Sequence, residues 1–184
     1  MARALVILAQ GAEEMETTIA VDVLRRGGIE VVLAGLDGAD AVKCSRGVHI
    51  APDAALSDVK GPFDVVVLPG GLEGARRLAA SEAVGALLRA QEAAGLTTAA
   101  ICAAPIALAK HEVYGGRKLT CYPSVHDVVG AHGELTTSAV VIDRNLVTSQ
   151  GPGTAFAFAL ALVERFAGKE TEINVRKGML LPTH

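Results

Sequence analysis

Short, continuous apolar stretches alternate along the chain with segments whose apolar residues recur at helical spacing. The apolar stretches predict strands over residues 3–9, 29–34, 63–68 and 96–101. The helically spaced segments predict helices over residues 14–26, 72–80, 81–94 and 153–166, with shorter ones from Cys102 to about 110 and from Thr171. Residues 35–61 are irregular, with extended pieces at 42–44 and 48–50. The alternation favours an α/β fold with a mainly parallel central sheet.

The C-terminal part of the pattern adds a hairpin and an amphipathic helix. Residues 140–149 form two apolar runs that turn at Asp143 and Asn145, which are residue types that favour turns. In the helix that follows, one face carries Ala155, Phe158, Ala159, Leu162, Val163 and Phe166. No repeat or linker interrupts the chain, so we predict a single domain over residues 1–184.

Composition then narrows the classes of function. The 184 residues are 51% hydrophobic and only 3% aromatic, which is enough apolar material for a sizeable core of small aliphatic side chains. A formal net charge of −3 gives no electrostatic basis for binding nucleic acid or an anionic membrane. No run approaches the roughly 18 apolar residues that a membrane span needs. Three widely spaced cysteines form neither a disulfide framework nor a metal pattern, which favours a reducing compartment and a cytoplasmic protein.

The strongest candidate for chemistry is Cys102, which lies between a predicted buried strand and a predicted helix that begins near Pro105. A thiol on such a turn lies over a helix N-terminus, where the dipole and the free N–H groups favour the thiolate. The arrangement is similar to the nucleophile elbow of hydrolases, although the G-x-S-x-G motif is absent. The alternative is a buried structural cysteine, which is a common state of free cysteine.

Three other turns should lie beside Cys102, because the carboxyl ends of parallel strands meet at one edge of a sheet. The first carries the acidic run Glu13-Glu14-Met15-Glu16, from which we choose Glu16 as the acid facing the thiol. An acid in a first helical turn can equally serve only the helix dipole. The second turn, Gly70-Gly71, would let backbone N–H groups stabilise an oxyanion or simply end a strand. The third, at 151–153, lacks the remaining glycine of a dinucleotide motif, so no cofactor is predicted.

The histidines do not give Cys102 an evident base. Their spacing indicates no metal site; they are His49, His111, His126, His132 and His184. His126 is the best candidate for a catalytic histidine, because it lies just downstream of residues 121–123, but a satisfied loop or surface histidine is the favoured interpretation. Cys44 and Cys121 are interpreted as structural thiols.

Four motifs in the order LVILAQGAEEME (5–16), VVVLPGG (65–71), AICA (100–103) and TSQGPGT (148–154) resemble one protein family along almost the whole chain. The chain is identified as similar to the Parkinson-disease-associated deglycases of the PfpI-like superfamily, which are related to class I glutamine amidotransferases. This resemblance implies a flavodoxin-like three-layer sandwich, with helices on both faces of the sheet, and a homodimer. It also implies that Cys102 is an oxidation-prone nucleophile, that Glu16 hydrogen-bonds to it, and that Gly71 and Ala103 supply N–H donors. The cytoplasm is the implied location, with the nucleus and the mitochondrion as further ones.

The resemblance further implies a cysteine-dependent glyoxalase and deglycase that acts on methylglyoxal and early glycation adducts, so its partners would be small reactive carbonyls and glycated proteins. One alternative is a non-catalytic redox sensor or chaperone that acts through partner binding after Cys102 is oxidised. A weaker alternative is a cysteine peptidase. Relatives often carry histidine where Tyr122 stands, and a tyrosine, with a pKa of about 10, cannot act as the base at neutral pH although it can donate a hydrogen bond. That departure leaves Glu16 as the main proton-handling group.

Overall fold

A seven-stranded sheet forms the centre of the molecule. The structure, a computed structural model, describes residues 1–182. Its strands are β1 Arg3–Leu8, β2 Glu30–Gly35, β3 Val42–Lys43, β4 His49–Ile50, β5 Ala54–Ala55, β6 Val65–Leu68, β7 Thr97–Ile101, β8 Lys118–Leu119, β9 Glu134–Leu135, β10 Val140–Asp143 and β11 Leu146–Ser149. The central sheet has the order β10-β11-β7-β6-β1-β2-β5. All its neighbours pair in parallel except β10 and β11, which form the predicted antiparallel hairpin.

The order of the long parallel strands is that of a flavodoxin-like sheet. Taken along the chain as first to fifth, β1, β2, β6, β7 and β11 lie in the spatial order 2-1-3-4-5. Strands β6, β7 and β11 are buried along their whole length, as expected for parallel strands covered on both faces. The predicted mainly parallel α/β fold is therefore confirmed.

Helices surround the sheet. They are α1 Glu14–Arg26, α2 Leu72–Ala80, α3 Glu82–Ala93, α4 Pro105–Lys110, α5 His126–Gly130, α6 Ala155–Ala167 and α7 Lys169–Gly178. Helix α1 packs against α6, which in turn packs against α7, whereas α2 packs against α4. The predicted apolar face of α6 is buried except for Phe166, which is partly exposed. Within residues 1–182, no helix is long and apolar enough to cross a membrane.

The segment between α4 and β10 contains structure that the sequence pattern did not predict. It holds the two-stranded parallel pair β8–β9, a single 3₁₀ turn at Pro123–Val125, and α5. Tyr122 N–H donates to the Cys102 carbonyl at 2.8 Å, so this segment is tied to the end of β7. The predicted tail at 180–182 follows α7, while His184 lies outside the described residues.

Candidate active site

Cys102 occupies the predicted turn between β7 and α4. Its backbone has a φ of 63°, in the left-handed region that non-glycine residues rarely adopt. Two hydrogen bonds fix this conformation, because its N–H donates to the Ser149 carbonyl at 2.9 Å and its carbonyl accepts from Tyr122. Pro105 is the first residue of α4, as predicted. Cys102 is 7% exposed, so the residue is almost entirely shielded from solvent.

The three carboxylates of the first turn have three different partners. Glu13 caps α1, its Oε2 accepting from Glu16 N–H at 2.8 Å. Glu14 reaches the turn between β3 and β4, where it accepts from Ser45 Oγ at 2.9 Å and from Arg46 N–H at 2.8 Å. Only Glu16 is directed to the sheet edge where Cys102 lies, and it is 1% exposed.

Gly70 connects Glu16 to the turn that follows β6. Its N–H donates to Glu16 Oε2 at 2.8 Å, and its carbonyl accepts from Glu13 N–H at 3.0 Å. A Cβ at Gly70 would lie 2.5 Å from Cys102 Cβ and 2.8 Å from Glu16 Oε2. Glycine is therefore required at this position for the two turns to approach each other. Glu16 Oε1 is buried and accepts no backbone hydrogen bond within residues 1–182.

Two backbone N–H groups face the Cys102 sulfur. They belong to Gly71 and Ala103, and their hydrogen bonds lower the pKa of the thiol. Gly71 is the N-cap of α2 and has a φ of 79°, a conformation that glycine adopts without the strain a side chain would bring. The structure thus brings Cys102, Glu16, Gly71 and Ala103 together.

Burial dominates the titration of the pair. It raises the pKa of the Glu16 carboxyl to about 7, with the negative charge of Glu13 adding to the increase and the hydrogen bonds from Gly70 and Cys102 opposing it. Burial and then the negative charge of Glu16 raise the pKa of Cys102 to about 12, against the donors at Gly71 and Ala103. When the pair carries one proton, either residue can hold it, so the two ionisations belong to the pair.

The expectation that the helix N-terminus would favour the thiolate of Cys102 is wrong for this geometry. Helix α4 has only six residues, and the thiol is both buried and beside an acid that becomes negative when it ionises. Removing the thiolate charge from water costs more free energy than the dipole of so short a helix provides. Burial and the neighbouring carboxyl of Glu16 therefore favour the thiol form of Cys102.

His126 and Tyr122 do not join this cluster through their side chains. His126 begins α5, its Nε2 is buried without a hydrogen-bond partner within residues 1–182, and it is not among the groups that shift the Cys102 pKa. Tyr122 contributes its backbone N–H, while its ring lies against Gly151, where a Cβ would be 3.3 Å from Tyr122 Cδ2. Within the described chain, no histidine side chain hydrogen-bonds to Cys102.

The other titratable candidates serve the fold. His111 Nε2 bonds to the Leu78 carbonyl at 3.1 Å, and His132 Nε2 bonds to the Val113 carbonyl at 2.7 Å. Cys44 and Cys121 are buried free thiols, and burial raises the pKa of each to about 11. In residues 1–182, no three His, Cys, Asp or Glu side chains come together in a group that could hold a metal ion.

Sequence reasoning placed the Gly70 turn beside Cys102 but missed two structural roles, the helix cap of Glu13 and the hydrogen bond from Gly70 to Glu16. The spacing of Glu13 and Glu16, at the N-cap and third positions of α1, is a version of the capping pattern and could have predicted the first of these. The second depends on how the turn after β6 meets the turn after β1, for which the local sequence carries no signal.

Comparison with known proteins gives consistent matches along the chain. The profile of the DJ-1/PfpI family matches residues 2–165. The chain is 56% identical to "Protein dj-1beta" of Drosophila melanogaster, covering 97% of this chain and 96% of that protein. It is 49% identical to the "Parkinson disease protein 7 homolog" of Danio rerio, covering 97% of each.

A third relative bears the name of an enzyme, and a solved structure matches the fold. The chain is 41% identical to the "Glutathione-independent glyoxalase DJR-1.2" of Caenorhabditis elegans, covering 97% of this chain and 96% of that protein. The crystal structure of Drosophila melanogaster DJ-1beta superposes with a TM-score of 0.97 at 54% identity, covering 99% of each chain. The flavodoxin-like α/β fold is common to both.

Proposed function

The chain belongs to the DJ-1/PfpI family, and from that premise we propose that it is a cysteine-dependent glyoxalase and protein deglycase for methylglyoxal and early glycation adducts. The observation that carries the proposal is the buried carboxyl of Glu16, held by Gly70 beside the thiol of Cys102. A nucleophile paired with a proton carrier meets the requirement of a glyoxalase. The relative named as a glutathione-independent glyoxalase supports the same reaction.

The reaction begins when Glu16 accepts the thiol proton and the Cys102 sulfur adds to the aldehyde carbon of methylglyoxal. A carbon–sulfur bond forms, the carbonyl electron pair moves to oxygen, and Glu16 returns a proton to give a hemithioacetal. The N–H groups of Gly71 and Ala103 stabilise the oxyanion before it is protonated.

Glu16 then transfers a proton between the two substrate carbons. Its carboxylate removes the proton from the former aldehyde carbon to leave an enediolate, and delivers it to the former ketone carbon while the hydroxyl proton moves from the first oxygen to the second. The first carbon is oxidised and the second is reduced, so no external oxidant or reductant is needed. Water hydrolyses the resulting lactoyl thioester, releasing lactate and restoring the thiol. For an early glycation adduct, the Cys102 sulfur displaces the protein amine or thiol from the former aldehyde carbon. The new carbon–sulfur bond forms as the bond to the protein breaks, and the leaving amine or thiol takes the proton that Glu16 accepted from Cys102.

The test is steady-state production of lactate from methylglyoxal in a buffer without amines. We expect Cys102→Ser to abolish turnover and Glu16→Gln to lower kcat/KM by roughly 10²-fold or more, because the amide cannot carry the proton. Activity of the wild-type protein should rise with pH through about 7, as the pair loses its first proton. Cys121→Ser is the matched control, since Cys121 is also a buried thiol, and it should retain activity close to wild type.

Full activity in either Cys102→Ser or Glu16→Gln would eliminate the enzyme proposal. Release of free amine from a glycated peptide, followed in the same variants, tests the deglycase part separately. A protein that makes lactate but releases no amine is a glyoxalase only.

The same contacts support a second function, sensing of oxidants with a chaperone-like response through partner binding. A peroxide would oxidise the Cys102 thiolate first to sulfenate and then to sulfinate, with two peroxides reduced to water or hydroxide. The added oxygens would accept hydrogen bonds from Gly71, Ala103 and protonated Glu16. Peptide mass spectrometry after peroxide treatment should find two added oxygen atoms on Cys102 before Cys44 or Cys121 reacts. Oxidation of Cys44 or Cys121 while Cys102 stays reduced would contradict a sensing function for Cys102.

The peptidase alternative gains no support, because no histidine within residues 1–182 hydrogen-bonds to Cys102. We propose the cytoplasm as the compartment, in keeping with the free thiols at Cys44, Cys102 and Cys121. Fractionation of cells that express the tagged chain would test that location.

A further inference from the structure

Three backbone N–H groups form a closed ring of hydrogen bonds beside the thiol. Glu13 N–H donates to the Gly70 carbonyl at 3.0 Å, and Gly70 N–H donates to Glu16 Oε2 at 2.8 Å. Glu16 N–H completes the ring by donating to Glu13 Oε2 at 2.8 Å. The ring joins the turn after β1 to the turn after β6, and Gly70 is so close to the thiol residue that an added Cβ would lie 2.5 Å from Cys102 Cβ.

We propose that Glu13 is a positioning residue for the reaction, which holds the Glu16 carboxyl at Cys102 and sets the pH at which that carboxyl becomes a proton acceptor. The inference deepens the proposed function and rests on Cys102 and Glu16 being the reacting pair. Glu13 acts through Glu16, since its own carboxylate is used in the cap and does not bond to the sulfur.

The position of Glu13 gives it two separable effects. As a hydrogen-bond acceptor, it fixes the backbone of Glu16 at the start of α1. As a negative charge, it opposes ionisation of Glu16, together with burial and against the hydrogen bonds from Gly70 and Cys102. Glu13 supplies the charge–charge contribution to the shift at Glu16 among residues 1–182, and it raises the pKa, so removal of this charge should lower it.

Glutamine and alanine substitutions separate the two effects. Glu13→Gln keeps an acceptor for Glu16 N–H but removes the charge, whereas Glu13→Ala removes both. Glu14→Gln is the matched control, because Glu14 is a carboxylate of the same turn whose partners are Ser45 and Arg46. Glu16→Gln identifies the ionisation that belongs to Glu16.

The measurement is the rate at which iodoacetamide alkylates Cys102, followed by peptide mass spectrometry across the pH range around neutrality. We expect an inflection near pH 7 in the wild type that is absent in Glu16→Gln. Glu13→Gln should move the inflection to lower pH by roughly a few tenths of a unit, with its limiting rate retained. Glu13→Ala should in addition lower the limiting rate on the order of tenfold, because Glu16 is displaced. Glu14→Gln should leave the inflection in place.

An unshifted inflection in Glu13→Gln, or a wild-type limiting rate in Glu13→Ala, would reduce Glu13 to an ordinary helix cap and overturn the proposal. An inflection that survives in Glu16→Gln would overturn it too. Thermal unfolding of each variant identifies a cap-only effect, since loss of a cap lowers the midpoint without changing the alkylation profile. Alkylation needs no carbonyl substrate, so failure to make lactate would count against the proposed function and not against this role of Glu13.

Discussion

At the scale of single residues, the burial of Glu16 affects both the proposed reaction and the pH dependence of folding stability. A carboxyl that is 1% exposed loses its hydration, and the hydrogen bonds from Gly70 and Cys102 replace only part of it. Burial therefore raises the pKa of Glu16 to about 7, which keeps a proton available at neutral pH. The same shift means that the folded state binds this proton more tightly than the unfolded chain does.

This linkage predicts that stability falls as pH rises from about 4.5 to about 7. Below the unfolded value both states are protonated, whereas between the two values only the folded state keeps the proton. The shift corresponds to on the order of 3 kcal/mol of unfolding free energy that is lost as pH rises through about 7. Urea denaturation at a series of pH values should find this decline in the wild type and a much flatter curve in Glu16→Gln.

Glu14→Gln provides the control for that experiment. Hydrogen bonds from its own backbone, Ser45, Arg46 and Val48 outweigh burial and lower the pKa of Glu14, so its ionised form adds stability at higher pH. The decline due to Glu16 should persist in this variant. Equal slopes in Glu16→Gln and the wild type would contradict the assignment of the proton to Glu16.

The position of Glu16 could be predicted from the sequence, but the contacts that hold Glu14 elsewhere and the direction of the Cys102 pKa shift could not. Its place in the first turn of α1 follows from the predicted helix boundary, which the structure reproduces at 14–26. That Glu14 binds Ser45 and Arg46 depends on a hairpin 31 or 32 residues away, which local sequence does not encode. The direction of the Cys102 pKa shift was missed for the same reason, because burial is a property of the assembled fold.

At the scale of elements, predictability followed the length and periodicity of each segment. Helix α1 and the buried strand β7 have patterns strong enough to fix them within a residue or two. The pair β8–β9 has two residues in each strand, and α5 has five residues, so neither has room to express a period. These short elements depend on tertiary pairing, which also brings Tyr122 to the backbone of Cys102.

Gly70 lies where the turns after β6 and β7 approach each other, and a substitution there tests this contact. Gly70→Ala would force the turn after β6 away from the turn after β7, because the new Cβ would lie 2.5 Å from Cys102 Cβ. We expect a loss of about 1–3 kcal/mol of unfolding free energy, measured in urea, and a large loss of lactate production. Gly153→Ala is the matched control in the turn after β11, since its Cβ would enter open space. Equal behaviour of the two variants would contradict the close contact.

At the scale of the whole molecule, one face carries an exposed apolar side chain next to the candidate active site. Met15 directly precedes Glu16 and is 52% exposed. Further along α1, a groove of about 510 Å³ is lined by Val21, Leu33 and Ile50 beside the polar and charged side chains of Thr17, Thr18, Asp22, Arg25 and Arg26. An exposed methionine next to a partly apolar groove favours burial against another protein surface. We therefore expect a second copy of the chain to cover it, consistent with the homodimer that the family resemblance implies.

Met15→Glu should convert the proposed dimer to a monomer, because the new carboxylate would have to be buried at the interface without a partner. Sedimentation velocity at several protein concentrations would measure the shift. Val128→Glu is the matched control, since Val128 is also 52% exposed but lies on α5. Met15 adjoins the turn that carries Glu16, so the monomer should also show a changed pH dependence of Cys102 alkylation if the interface shields that turn from water. An unchanged sedimentation coefficient in Met15→Glu would exclude this face as the interface, whereas dissociation of both variants would make the effect one of added charge alone.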